Sequence, residues 1–284
     1  MIYLQLAMSC EAAPLIRALS LSAAQPLHGL KRWASQDVTL TLSGTGPYAA
    51  CACAALTCAE AESAHDLFVT FGTCASLLPD LSPGTLYRIH ALYDLASGRP
   101  YYPDMFPDIG LPEAGIITGA RVLDTASPLH GLADCPPHTL YDMESAAAHL
   151  AASRFLGPHR QAALRLVSDA GESSHITQES IGHMVEKQLP ALTAVLASFA
   201  SYAASLEDVD DFTPSDEEVS HLCSLLRCSE SMRLQLMQLM RYAGSCDISF
   251  LALLAPYIAS GTLPVRDRKE GKRILEELTR LIST

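Results

Sequence analysis

Through about residue 204 the chain alternates short apolar runs with stretches of helical character. No other feature restricts its fold as much. "IYLQLAM" (2–8), "DVTLTLSG" (37–44), "DLFVTFG" (66–72), "GTLYRIHALYD" (84–94), "GIITGARVLD" (115–124) and "QAALRLVSDAG" (161–171) read as strands. Between and after them, "EAAPLIRALS", "YAACACAALTCAEAE", a segment opening at Asp142 and "TQESIGHMVEKQLPALTAVLASFASYA" read as helices. Such alternation predicts an α/β fold, a three-layer sandwich around a mixed, mostly parallel sheet. Ligands of such folds sit at the carboxyl ends of strands, so the polar residues there are the ones to weigh.

The alternation stops near residue 206. "LEDVDDFTPSDEE" is acidic, contains Pro214 and shows no apolar periodicity, so 206–215 reads as a linker. Beyond it, 216–228, 230–243, 246–260 and 266–282 have helical patterns and predict a small C-terminal α-helical extension over 216–284. In "ESMRLQLMQLMRYAG", Met232, Leu236, Leu239 and Met240 fall on one helical face, a stripe that reads as core. The expected division is therefore 1–205, a linker, and the helical extension.

Composition removes several classes of function. A net charge of −12 repels nucleic-acid phosphate and anionic membrane surfaces. With 49% hydrophobic and 18% charged residues the chain has ample material for a core. No apolar run approaches transmembrane length, and the opening segment lacks a basic region and meets Glu11 too early for a secretory leader. The nine cysteines form no CxxC pair, and Cys51, Cys53 and Cys58 sit in an alanine-rich helix where cysteine packs as a small hydrophobe. These features predict a cytoplasmic protein with reduced thiols, no metal and no cofactor.

Four strand ends carry groups able to do chemistry. The first runs into Met8-Ser9-Cys10-Glu11 and the third into Gly72-Thr73. Met143-Glu144 begins a helix, and the last strand ends Arg165-Leu166-Val167-Ser168-Asp169. Carboxylates gathered with an arginine and hydroxyls suit acid/base work on a hydroxyl-rich substrate. Each also has an ordinary structural explanation. Glu11, Asp142 and Glu144 are acids at helix starts, Asp169 can close a turn, and a buried Arg165 must pair with some core carboxylate. Successive helix residues point about 100° apart, so Asp142 and Glu144 are expected not to share one pocket. Asp142 is then expected to act through the helix dipole, worth ~0.3–1 kcal/mol.

These segments together resemble the nucleoside phosphorylase/nucleosidase superfamily, most nearly its methylthioadenosine/S-adenosylhomocysteine nucleosidases. The likeness rests on "LAMSCEAAPLIRAL", "LSGTGPYAACACA", "FVTFGTCASLLPDLSPGTL", "YDMESAAAHLA" and "LRLVSDAGESSHI", five motifs in family order across residues 1–204. It implies a nucleoside substrate and a homodimer. It further implies that Asp169 protonates or hydrogen-bonds N7 of a purine leaving group, with Ser168 positioning it. By the same likeness Glu11 deprotonates the attacking water, which Thr73 and Arg165 help to hold. Glu144 takes the ribose hydroxyls, Met143 packs on the sugar face, and Met8 borders the substrate. Val122, with Leu123 next to it, stands where the family's base-stacking aromatic is expected. Tyr101, Tyr102 and Phe106 are candidate replacements from a nearby loop.

The phosphorylases of this superfamily hold phosphate with arginines near the first strand end and before the Gly-Ser turn. Here those positions read Ser9-Cys10-Glu11 and Thr70, and an anion site needs positive charge, so hydrolysis is favoured. The chain also departs from the nucleosidases. Cys10 replaces an acid, Thr73 a serine, and 105–139 is short of a helix. Two other readings stay open: a purine nucleoside phosphorylase, and an inactive nucleoside-binding module whose helical tail recruits a partner.

Overall fold

The computed structural model describes residues 1–78, 81–123, 139–171, 176–206, 214–246 and 248–282. The chain divides into two compact units, Met1–Glu207 and Asp208–Thr284. Most of the expected linker (207–213) and the Ser174-His175 pair lie outside the described residues.

In the first unit, strands β1 (Ile2–Leu6), β4 (Val38–Leu42), β5 (Leu67–Ser76) and β10 (Gln161–Asp169) run parallel as neighbours in the order β4-β1-β5-β10. They are buried almost throughout, which explains why they read as unbroken apolar runs rather than alternating ones. Alternate residues nonetheless enter different cores, as a period of two requires. Ile2, Leu4 and Leu6 join Leu67, Val69 and Phe71 beneath α1 (Ser9–Ala18) and α4 (Gln178–Ser205). Tyr3 and Phe68 point the other way, into small residues of α2 (Pro47–Cys58) and α3 (Ser145–Ala152). The alanines and cysteines of α2, Cys53 and Cys58 included, are what allow that helix to lie close.

The sheet continues through β6 (Leu86–Asp94), β8 (Glu113–Thr118) and β9 (Leu140–Asp142), with β7 (Arg99–Tyr101) beside β6. Because β9 pairs back onto β5, the path β5-β10-β6-β8-β9 closes on itself. On the far edge, β2 (Ser22–Leu27) and β3 (Leu30–Ala34) form a hairpin joined through His28 and Gly29, both at positive φ. Among the described residues five strand pairs are parallel and five antiparallel. The sheet is mixed as expected, yet not mostly parallel, because β2, β3, β7 and β9 add antiparallel pairs and β6 runs antiparallel to β10.

The second unit is helical: α5 (Asp216–Leu226), α6 (Glu230–Ser245), α7 (Phe250–Ala259) and α8 (Arg268–Ile282). Met232, Leu236, Leu239 and Met240 are buried with Leu222, Leu254 and Ile274 in a core of its own. The methionine stripe is therefore packing. Ser215, Ser229 and Ser249 cap three of the helices by accepting from backbone N–H groups one turn on. Among the described residues of the whole chain no helix is long and apolar enough to cross a membrane.

Candidate active site

A cavity of about 260 Å³ opens in the first unit where β1, β5, β9 and β10 end. Its wall contains Met8, Glu11, Thr73, Val122, Leu123, Met143, Glu144, Ser168 and Asp169. Of the ten residues to which the family likeness assigns a place in the site, nine thus meet in one place; the tenth, Arg165, lies behind the wall. Tyr141, Asp142, Thr45 and Ile181 also line the cavity and were not picked out as its lining. No lysine, arginine or histidine does so among the described residues.

Glu11 is in the first turn of α1 and almost wholly buried, at 1% exposure. Its Oε1 accepts from the Thr73 N–H (2.7 Å) and the Thr73 hydroxyl (2.9 Å), and its Oε2 accepts from the Met8 N–H (3.0 Å). A carboxylate has about four lone-pair sites, so one on Oε2 remains for a further donor. Burial pushes the Glu11 pKa up, against the pull of these donors and of the Arg165 charge. Thr73 is not a residue after the strand, as the sequence suggested. β5 continues to Ser76 because its Gly72 and Thr73 still pair with Arg165 and Leu166 of β10.

Asp169 closes β10. Its Oδ1 accepts from the Gly171 N–H (2.8 Å), and its Oδ2 lies 2.6 Å from the Ser168 hydroxyl. That hydroxyl is also 3.0 Å from the Cys74 carbonyl, so its single proton serves one acceptor at a time. Glu144 precedes α3. Its Oε1 accepts from the Gly46 N–H (2.8 Å) and its Oε2 from the Met143 N–H (3.3 Å). The Gly44-Thr45-Gly46 turn makes the first contact possible, since Gly46 sits at φ +99°, where a side chain is strained. Burial, with the Asp142 charge second, lifts the Glu144 pKa to about 7.

Asp142 corrects the sequence reading. It is the last residue of β9, and α3 starts only at Ser145. Its Oδ2 accepts from Arg165 Nε (2.8 Å), the Ser145 N–H (2.9 Å) and the Ser145 hydroxyl (2.6 Å), and its Oδ1 from the Thr118 hydroxyl (2.7 Å). Asp142 and Glu144 do share the cavity wall, because the chain bends at Met143-Glu144 between β9 and α3 rather than running on as the helix that the 100° argument assumed. Arg165 is only 2% exposed and gives its other described hydrogen bonds to the Thr70 hydroxyl and the Leu164 carbonyl. Among the described contacts, its ordinary explanation, pairing with a core carboxylate, is the one the structure shows.

The loop aromatics go elsewhere. Tyr101 packs its ring 5.9 Å from that of His149, and Tyr102 and Phe106 are 66% and 65% exposed; none of the three lines the cavity. Val122 and Leu123 do, and the segment after them, 124–138, lies outside the described residues.

No protein-family model and no curated protein sequence matches this chain. Solved structures do. A 5′-methylthioadenosine/S-adenosylhomocysteine nucleosidase from Campylobacter jejuni aligns with a TM-score of 0.57 at 18% identity, over 70% of this chain and 98% of its own. A futalosine hydrolase mutant from Helicobacter pylori aligns at 0.56 and 16% identity, over 71% and 98%. A 5′-methylthioadenosine nucleosidase from Arabidopsis thaliana in apo form aligns at 0.58 and 16%, over 72% and 96%. At these identities the likeness is one of fold: this chain has the mixed α/β fold of those enzymes, with more than a quarter of its length outside each match.

Proposed function

We propose that this chain is a nucleosidase. Its reaction is hydrolysis of the N-glycosidic bond of an adenine-type purine nucleoside, such as 5′-methylthioadenosine or S-adenosylhomocysteine. The observation that carries the reading is the convergence of Glu11, Glu144 and Asp169 on one cavity, each with different partners and with acceptor capacity to spare. Glu144, held by two backbone N–H groups, keeps a lone pair on each oxygen for the ribose hydroxyls. Asp169 donates to, or hydrogen-bonds, N7 of the base, drawing electrons from the glycosidic bond as it breaks. Water held on the free site of Glu11 attacks the anomeric carbon and passes its proton to that carboxylate. Burial favours this, since it raises the proton affinity of the base. Met143 and Met8 supply soft apolar surface beside the sugar.

The absence of basic side chains among the described lining residues supports water over phosphate as nucleophile. The test is base release from a panel of purine nucleosides by the wild type and Asp169→Asn. The expected result is cleavage of adenine-type substrates, lowered ~10²-fold or more in the variant. Tight binding without cleavage of any member would instead make the chain a binding module. The family likeness noted in the sequence also implies a homodimer, for which light scattering should give twice the chain mass; a monomer mass would contradict it.

A further inference from the structure

Tyr141 is the middle residue of β9, one position before the Asp142-Met143-Glu144 segment, and 2% exposed. Its ring lines the cavity and packs with Ile117 and Leu123. Its hydroxyl donates to the Arg121 carbonyl at 2.6 Å. Two residues earlier, the Gly119 N–H donates to the Asp142 carbonyl at 2.9 Å. The chain leaving β8 is thus fastened to β9 twice, once by backbone and once by a phenol, immediately before Val122 and Leu123 reach the cavity. Gly119 fits the same arrangement: a Cβ there would lie 2.1 Å from the Tyr141 hydroxyl oxygen. Burial pushes the Tyr141 phenol up to about 12, so it stays a donor across the working range.

Among the described residues Val122 is 58% exposed, whereas Leu123 is 7% exposed and packs with Tyr141. We propose that Tyr141 is a positioning residue for the base-binding wall, its hydroxyl holding the Arg121 carbonyl so that Val122 and Leu123 present a fixed surface to the purine. Where the family places a base-stacking aromatic, Val122 and Leu123 then present aliphatic side chains on an anchored backbone. The inference rests on the nucleosidase reading, since only then is the ligand a purine. It adds a residue that does not touch the reacting atoms. Its effect therefore belongs in base affinity and base discrimination rather than in bond breaking.

The experiment compares wild type with Tyr141→Phe, which keeps the ring and removes the hydrogen bond. KM and kcat are measured for methylthioadenosine and for its 6-oxo analogue, together with Kd for free adenine by calorimetry and the melting temperature. Loss of one neutral hydrogen bond is worth about 2–12-fold in affinity. The expected result is therefore a rise of that size in KM and in adenine Kd, a narrowed preference between the two bases, and kcat within about twofold. Unchanged KM, Kd and preference, whatever happens to the melting temperature, would overturn the assignment. So would a fall confined to kcat. If Tyr141→Phe does not fold, Gly119→Ala, whose Cβ would displace the Tyr141 hydroxyl and the ring edge beside it, tests whether this anchor sets base binding, and a rise in KM at least as large is required of it. A wild type that neither cleaves nor binds purine ligands removes the nucleosidase reading and this inference with it. An active wild type with an indifferent Tyr141→Phe removes the inference alone.

Discussion

Glu144 holds the Gly46 and Met143 N–H groups and has its pKa lifted to about 7 by burial first and by Asp142 second. Its cost to the empty protein follows from linkage. Between its ordinary carboxylate value and about 7 the folded chain binds more protons than the unfolded one, so stability falls as pH rises through that window. A neutral isostere abolishes the slope. Glu144→Gln is therefore expected to melt a few degrees higher than wild type at about pH 8, with little difference at about pH 5. It should also lose substrate binding and rate together, because each ribose hydrogen bond to a charged acceptor contributes about 1.5–3 kcal/mol. A variant that loses stability at both pH values would mark Glu144 as a structural acid. Asp169 differs in kind: Asp169→Asn is expected to lower turnover far more than binding, and equal losses in KM and kcat would argue against proton donation.

At the scale of elements, β9 decides the site. Its three residues bring Tyr141 and Asp142 between β5 and β8, and the turn after it delivers Met143 and Glu144. The sequence shows an acid-Met-acid run before an alanine-rich segment, which reads as one helix because a three-residue strand carries no period of its own. Asp142 therefore looked like a dipole-capping acid worth a few tenths of a kcal/mol. Its four hydrogen bonds in the structure predict much more. Asp142→Ala leaves the Arg165 guanidinium buried and unpaired, so a loss of about 3–5 kcal/mol is expected in denaturant unfolding. A loss below about 1 kcal/mol would show that the pair does not hold the strand ends. The long apolar strands β1, β4, β5 and β10 were legible because burial on both faces left a signal strong enough to read. The β2–β3 hairpin was not, since its strands, SAAQPL and LKRWA, show no strict apolar/polar alternation and its turn is His28-Gly29 rather than a stronger hairpin pair. Glu11, Glu144 and Asp169 were legible as residues at strand and helix ends. The neighbours that set their chemistry, the Gly46 N–H and the Arg165–Asp142 pair, come from distant chain segments and no local pattern announces them.

For the whole molecule, the two units carry separate cores. The hydrophobic clusters of the first are built from residues up to Leu206, and that of the second from Val219 to Ile282. We therefore propose that 1–206 folds alone and keeps its cavity, so truncation after Leu206 should retain cooperative melting and nucleoside cleavage. A truncated chain that never folds would contradict the division. By the proposed reaction, water attacks a glycosidic bond in a cavity whose described lining carries carboxylates and no lysine, arginine or histidine. Turnover of methylthioadenosine in heavy-oxygen water, with and without added phosphate, tests it most directly. One heavy oxygen on the anomeric carbon of a free sugar, adenine as the other product, and a rate indifferent to phosphate are expected. A sugar 1-phosphate that accumulates with added phosphate, its anomeric oxygen unlabelled, would contradict it.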